Sequence, residues 1–146
     1  MSMKQLDTLL KFEKDKEQQA GQKLKEAEYE YQQNISRLNG VAEYRLEYMK
    51  RLNQRTIEGI DSATYSQYLA FIDKLDHAAD QVRIAKTQAK ALVEQCKGLW
   101  MTQMRKVKAV EHLRDKQLQK IVKKELRAEQ KMFDEISSLQ FIRRDL

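Results

Sequence analysis

Apolar residues return every three or four positions along most of this chain, and a 3.5-residue repeat held that long leaves few folds open. With position a of the heptad at Met3 and d at Leu6, the first seam continues through Leu10, Glu13, Glu17, Ala20, Leu24, Ala27, Tyr31, Asn34, Leu38, Val41, Arg45, Tyr48, Leu52 and Arg55. Glu13, Glu17, Asn34, Arg45 and Arg55 are its polar interruptions. A second seam starts with a at Tyr65. It runs through Tyr68, Ile72, Leu75, Ala79, Val82, Lys86, Ala89, Val93, Cys96, Trp100, Gln103, Val107 and Val110, with Lys86 and Gln103 as the exceptions. The composition agrees with long helices. There is no Pro, Gly occurs four times, and 34% of residues are charged. Such a chain cannot fill a broad core, but it can line a narrow one.

Between the seams stands "TIEGIDSAT", residues 56–64. The frame breaks there. Gly59 is suited to cap a first helix. Asp61 or Ser62 is suited to cap a second, and Thr64 with Gln67 fits a capping box. A connection this short favours antiparallel neighbours. The expected fold is all-α: a long antiparallel two-helix coiled-coil hairpin in a single domain, 1–146. Helix 1 is expected over about 3–57, the turn over about 58–62 and helix 2 over about 63–140. Helix 1 would be about 80 Å long at 1.5 Å per residue.

The arms are unequal. Folding about residues 60 and 61 brings Met3 near Leu118, so the chain after about residue 120 has no partner helix. That stretch, "KIVKKELRAEQKMFDEISSLQFIRRDL", loses the clean heptad but keeps Ile121, Val122, Leu126, Met132, Phe133, Ile136, Leu139 and Phe141. An amphipathic tail left uncovered by its own chain points to a partner; fraying, or bending back as a short third helix, is the structural alternative. A second unusual feature lies nearer the turn. Phe71, Ala78, Ala85, Leu92, Leu99 and Leu113 fill the g row beside the second seam, whereas Asp76, Arg83, Lys90, Lys97 and Glu111 stand at e. Tyr44 is at g of helix 1 with Tyr48 beside it at d. One flank near the turn is therefore apolar and aromatic, the mark of a contact surface. The structural alternative is a wider stripe that only thickens the hairpin's own packing.

The residue types of catalysis are nearly missing. His77 and His112 are 35 positions apart, and a lone Cys96 cannot complete a tetrahedral metal site with them. No Gly-rich phosphate loop occurs. Neither an enzyme nor a cofactor is expected. A single cysteine fits a reducing compartment, and no signal peptide or membrane span is legible, so a cytoplasmic protein is expected. From Arg83 to Arg127, Lys and Arg outnumber Asp and Glu by 13 to 4. A solvated face or an acidic protein fits this run better than nucleic acid, which ordinarily brings a recognisable module or stacking aromatics.

Several elements together resemble the FliJ family, the small coiled-coil component of the bacterial flagellar type III export apparatus. They are "YRLEYMKRL" at 44–52, the series Gly59, Tyr65, Tyr68, Phe71-Ile72 and Leu75, then Gln81, "LW" at 99–100, and "ELRAEQKMFDE" at 125–135. The end, "ISSLQFIRRDL", is more apolar than the family pattern. The resemblance implies a non-enzymatic protein of flagellum biogenesis and motility, similar to the central stalk of rotary ATPases. Its implied partners are the export ATPase ring, the cytoplasmic domain of the membrane export gate and the substrate-specific export chaperones. The membrane would be reached only through partners, at the inner face of the cell membrane. Carried over by position, the gate-binding residues are Tyr44, Tyr48, Phe71, Leu75 and Ala78. The ATPase-binding residues are Lys123, Lys124, Arg127, Glu129, Gln130 and Lys131. The rival readings are the equivalent stalk of a virulence-type secretion system, and a basic structural coil that binds nucleic acid or self-assembles.

Overall fold

The computed structural model describes residues 1–145. It has two helices, α1 (Met3–Glu58) and α2 (Ser62–Asp145), and no strand among the described residues. This is the all-α helical hairpin that the heptads predict. α2 runs past the end near residue 140 expected from sequence, because nothing between "ISSLQF" and Asp145 breaks a helix.

Both ends of α1 and the start of α2 have a local cause. Ser2 Oγ accepts from the Gln5 N–H at 3.2 Å, and Gln5 Oε1 accepts from the Ser2 N–H at 3.0 Å. This reciprocal capping box starts α1. Gly59 follows the last turn of α1 with φ +92°, the left-handed region that only Gly enters without strain. Its N–H donates to the Thr56 carbonyl at 3.3 Å. Asp61 then caps α2: its carboxylate accepts from the Thr64 hydroxyl and N–H, and these bonds hold its pKa below the ordinary carboxylate value. The connection is Gly59, Ile60 and Asp61 alone.

Packing divides the chain into two compact units, each drawing on both helices. One comprises Met1–Gln18 and the chain from Thr102 onward; the other is Gln19–Met101. In both, the buried side chains fall on the two predicted seams. The first unit buries Leu6, Gln103, Val107 and Val110; the second buries Ala27, Asn34, Leu52, Ile72, Ala79 and Ala89. The remaining seam positions are half-buried, except Arg55 and Tyr65 beside the turn. Seam burial thus stops at Leu52 on α1 and Tyr68 on α2, although α1 continues to Glu58.

Most of the polar interruptions find partners. In the first unit Gln103 Nε2 donates to the carbonyl and the carboxylate of Glu13, so two breaks in two seams meet each other. Asp7 accepts from Arg114 Nε at 2.6 Å beside them. In the second unit Asn34 Nδ2 donates back to the Glu30 carbonyl at 3.1 Å and its Oδ1 accepts from Arg37. Arg45 Nε donates to Asp76 Oδ1 at 2.7 Å. No buried side-chain polar atom among the described residues lacks a partner. Trp100 reaches the seam over Gly21, where an added Cβ would stand 3.4 Å from the indole nitrogen.

Gly40 and Gly98 lie inside helices with nothing within 4 Å of an added Cβ. Gly40→Ala and Gly98→Ala should therefore each stabilise the chain by about 1 kcal/mol in urea melts followed by circular dichroism, while Gly59→Ala should destabilise it by about 1 kcal/mol. The lowered folded pKa of Asp61 means that its capping contribution is complete above the unfolded carboxyl value of about 3.9 and disappears as pH falls through the folded value. Asp61→Ala should lower the melting temperature at pH 7, and the difference from the unaltered chain should shrink in strong acid.

Candidate partner-binding surfaces

The aromatic flank belongs to the Gln19–Met101 unit. Tyr44 and Tyr48 are one turn apart on α1, and Tyr68 and Phe71 are one turn apart on α2, so four rings meet across the seam. Tyr48 is central: its ring lies 4.6 Å from Phe71 and 4.9 Å from Tyr68, centroid to centroid. Tyr44 stands edge-on to Phe71 at 5.9 Å. Arg55 lays its guanidinium 6.0 Å above Tyr68, which closes the cluster on the turn side.

Exposure grades across the group. Ile72 is buried behind it; Tyr48, Tyr68, Phe71, Leu75 and Ala78 are half-buried; Tyr44 is 46% exposed. The structure thus brings Tyr44, Tyr48 and Phe71 into direct contact. Leu75 and Ala78 follow Phe71 at one and two turns along the same face of α2. Sequence reasoning placed Tyr68 on the seam as a structural residue, yet it is a full member of the ring cluster. The signal was available, since Tyr48 and Tyr68 are both d residues near the turn. Further along the g row the cover from α1 fails: Leu92 is 48% exposed and Leu99 60%. The facing g residues of α1 in that unit are Lys23, Glu30 and Arg37.

The second surface belongs to the other unit. Met1 and Leu6 share a shallow groove with Leu113, Lys116, Gln117 and Lys120, and Ile121 is the last residue of α2 that is even partly covered. From Val122 to Asp145 every residue is exposed. At 3.6 residues per turn this stretch sorts into two opposite faces. Val122, Leu126, Met132, Phe133, Ile136 and Leu139 form one; Lys123, Lys124, Arg127 and Lys131 form the other, which toward the chain end carries Asp134, Phe141 and Ile142 instead. The six residues expected to hold the ATPase are therefore divided. Lys123, Lys124, Arg127, Gln130 and Lys131 lie on or beside the basic face, and Glu129 lies on the apolar one. Gln130 Nε2 donates to Asp134 at 3.1 Å. None of the four cations takes part in an ion pair among the described residues.

Both surfaces are open faces and not enclosed sites. No group of three or more His, Cys, Asp or Glu among the described residues could hold a metal, and no described helix is long and apolar enough to cross a membrane.

The comparison with known proteins decides the family. The family model described as "Flagellar FliJ protein" matches residues 3–146. The chain belongs to the FliJ family. It is also 29% identical over 132 residues to the Flagellar FliJ protein of Salmonella typhi, covering 90% of each chain. No solved structure matches. Family membership supports a component of the flagellar export apparatus.

The grading of exposure in this FliJ-family chain separates contact from stability. Tyr44→Ala, at the exposed rim, should cost less than about 0.5 kcal/mol in a urea melt. Phe71→Ala, which empties the space against both Tyr44 and Tyr48, should cost about 2 kcal/mol. Equal losses would show that the rim tyrosine is structural.

Proposed function

We propose that this chain is a non-catalytic stalk of the flagellar export machinery, with the exposed tail of α2 as the segment gripped by the ring of the export ATPase. The observation that carries this reading is the stretch from Val122 to Asp145. It is helical and wholly exposed, apolar on one face and, as far as Lys131, basic on the other. A helix with two such faces suits a socket that combines an apolar wall with acidic groups. Lys123, Lys124, Arg127 and Lys131 supply the charge, Gln130 adds a polar contact, and Glu129 meets the apolar side. The N-terminal turns of α1, which pair with α2 just before the tail, enter with it.

The stalk contributes no reacting group. It acts by binding some conformations of the ring better than others, which shifts their populations and so biases assembly and ATP turnover. An asymmetric helix in a symmetric ring meets different subunits differently, and that is sufficient for such a bias.

The aromatic cluster is the second contact, for the cytoplasmic domain of the export gate. Tyr44 offers an exposed ring already fixed by Tyr48 and Phe71, so little side-chain freedom is lost on binding. Leu75 and Ala78 extend the same strip. Escort of export chaperones, and a place at the inner face of the cell membrane reached through partners, rest on the family resemblance alone.

The test is ATP hydrolysis by the export ATPase of the same organism, with light scattering to follow ring assembly. The chain at about one copy per ring should stimulate turnover. Truncation after Ile121 should abolish the stimulation while leaving the melting of the remaining hairpin unchanged. Separately, Tyr44→Ala should weaken capture of the gate domain by about tenfold or more without altering ATP turnover. A truncated chain that still stimulates fully removes the tail from the role assigned to it.

A further inference from the structure

The apolar face of the tail carries charge in an ordered way. Glu125 and Glu129 lie on it toward Ile121, and Arg143 and Arg144 lie on or beside it toward the chain end. Met132, Phe133, Ile136 and Leu139 occupy the stretch between. At 100° per residue, Glu125, Glu129 and Arg143 share the sector of the apolar side chains, and Arg144 borders it beside Leu126. None of the four has an ion-pair partner among the described residues, and all are exposed.

A stripe that is acidic at one end, apolar in the middle and basic at the other is complementary to itself, but only when turned end for end. We propose that the tails of two copies of this chain pair antiparallel, with the twofold axis near residues 134 and 135. Phe133 of each copy then packs against Ile136 of the other, and Met132 lies beside Leu139. Gln140 faces Glu129, and Arg143 and Arg144 reach Glu125 and Glu129. The contact is isologous and closed, so it stops at two copies. A parallel pair would set Glu on Glu and Arg on Arg, and like charges held together oppose it.

The contact is small. About 20 residues of helix span about 30 Å, and two such faces bury on the order of 1,000 Å² together, at the weak end of specific interfaces. The pair should form reversibly in the micromolar range. The same apolar face cannot meet another partner while the pair lasts, so self-pairing stores the tail until a tighter socket is offered. The pairing depends on the exposed tail itself and not on any role at the ring.

Sedimentation equilibrium of the full chain, from about 1 to about 200 µM, reads this directly. A monomer–dimer equilibrium is expected. Glu125→Lys with Glu129→Lys should weaken dimerisation by at least about tenfold, and so should Arg143→Glu with Arg144→Glu, because each sets like charges against one another. All four changes in one chain exchange the two ends and should restore the dimer to within about threefold. Lys123→Glu with Arg127→Glu, on the opposite face, should leave it nearly unchanged. Every altered residue is exposed, and unchanged helicity by circular dichroism verifies that each variant folds. A chain that stays monomeric throughout the range overturns the proposal. So does a dimer indifferent to the end reversals, or one that the fourfold change does not restore. ATP turnover is not part of this test, so its outcome is independent of the stalk reading.

Discussion

Two paired helices share a single line of contact, and each can hide only one stripe along it. In this protein that stripe is made of small and medium side chains: Leu6, Ala27, Leu52, Ile72, Ala79, Ala89, Val107 and Val110 are its most buried apolar members. None is sealed away completely, with Leu6 still 3% exposed. A core so thin has little hydrophobic energy per residue to choose one register over another. The choice falls instead to polar contacts that have a single solution. Gln103 against Glu13, Arg114 against Asp7 and Arg45 against Asp76 each require one alignment. A slip would leave the buried Gln103 amide without a partner, at about 1–3 kcal/mol, whereas the two ion pairs, open to water, mark the register without adding much.

The same geometry explains why the protein has so much surface to offer. An apolar residue outside the stripe is half-buried at best. Near the turn this produces the aromatic cluster, in which rings brace one another because no third helix covers them. Past Ile121 it produces a helix with no cover at all. The two surfaces differ in kind: the cluster is rigid before binding, and the tail is a lone helix whose order rests mainly on propensity. The first is suited to a firm, pre-shaped contact, and the second to being captured, released or shielded.

Much of this was legible in the sequence. The seams, the turn at Gly59 and the point where cover ends come from periodicity, which two paired helices express almost without distortion. The tail's length was less legible, because no breaker marks its end and exposure alone does not stop a helix. The pairing of Glu13 with Gln103 was also missed, although both stand out as polar breaks in otherwise apolar seams. Reading two seams separately gives the breaks; only folding one onto the other shows that they coincide. Tyr65 was misread for a related reason. It keeps the a position but lies nearer the turn than Leu52, the last buried seam residue of α1, and heptad position does not guarantee a neighbour. The six residues assigned to one tail contact were a run in sequence, and helical geometry divided them between two faces.

The connection of Gly59, Ile60 and Asp61 has a consequence for how such a chain can change over generations. Three residues leave no slack, so the turn sets the phase of both helices at once. Removing a few residues from the middle of α1 alone would rotate the side chains before the gap off the seam and move Glu13 away from Gln103. Length can therefore change in the paired region only by whole heptads, lost or gained on both helices at matching places. The segment beyond Ile121 is under no such constraint. Insertions and deletions in related chains should be quantised in sevens and twinned up to that residue, and of any size after it.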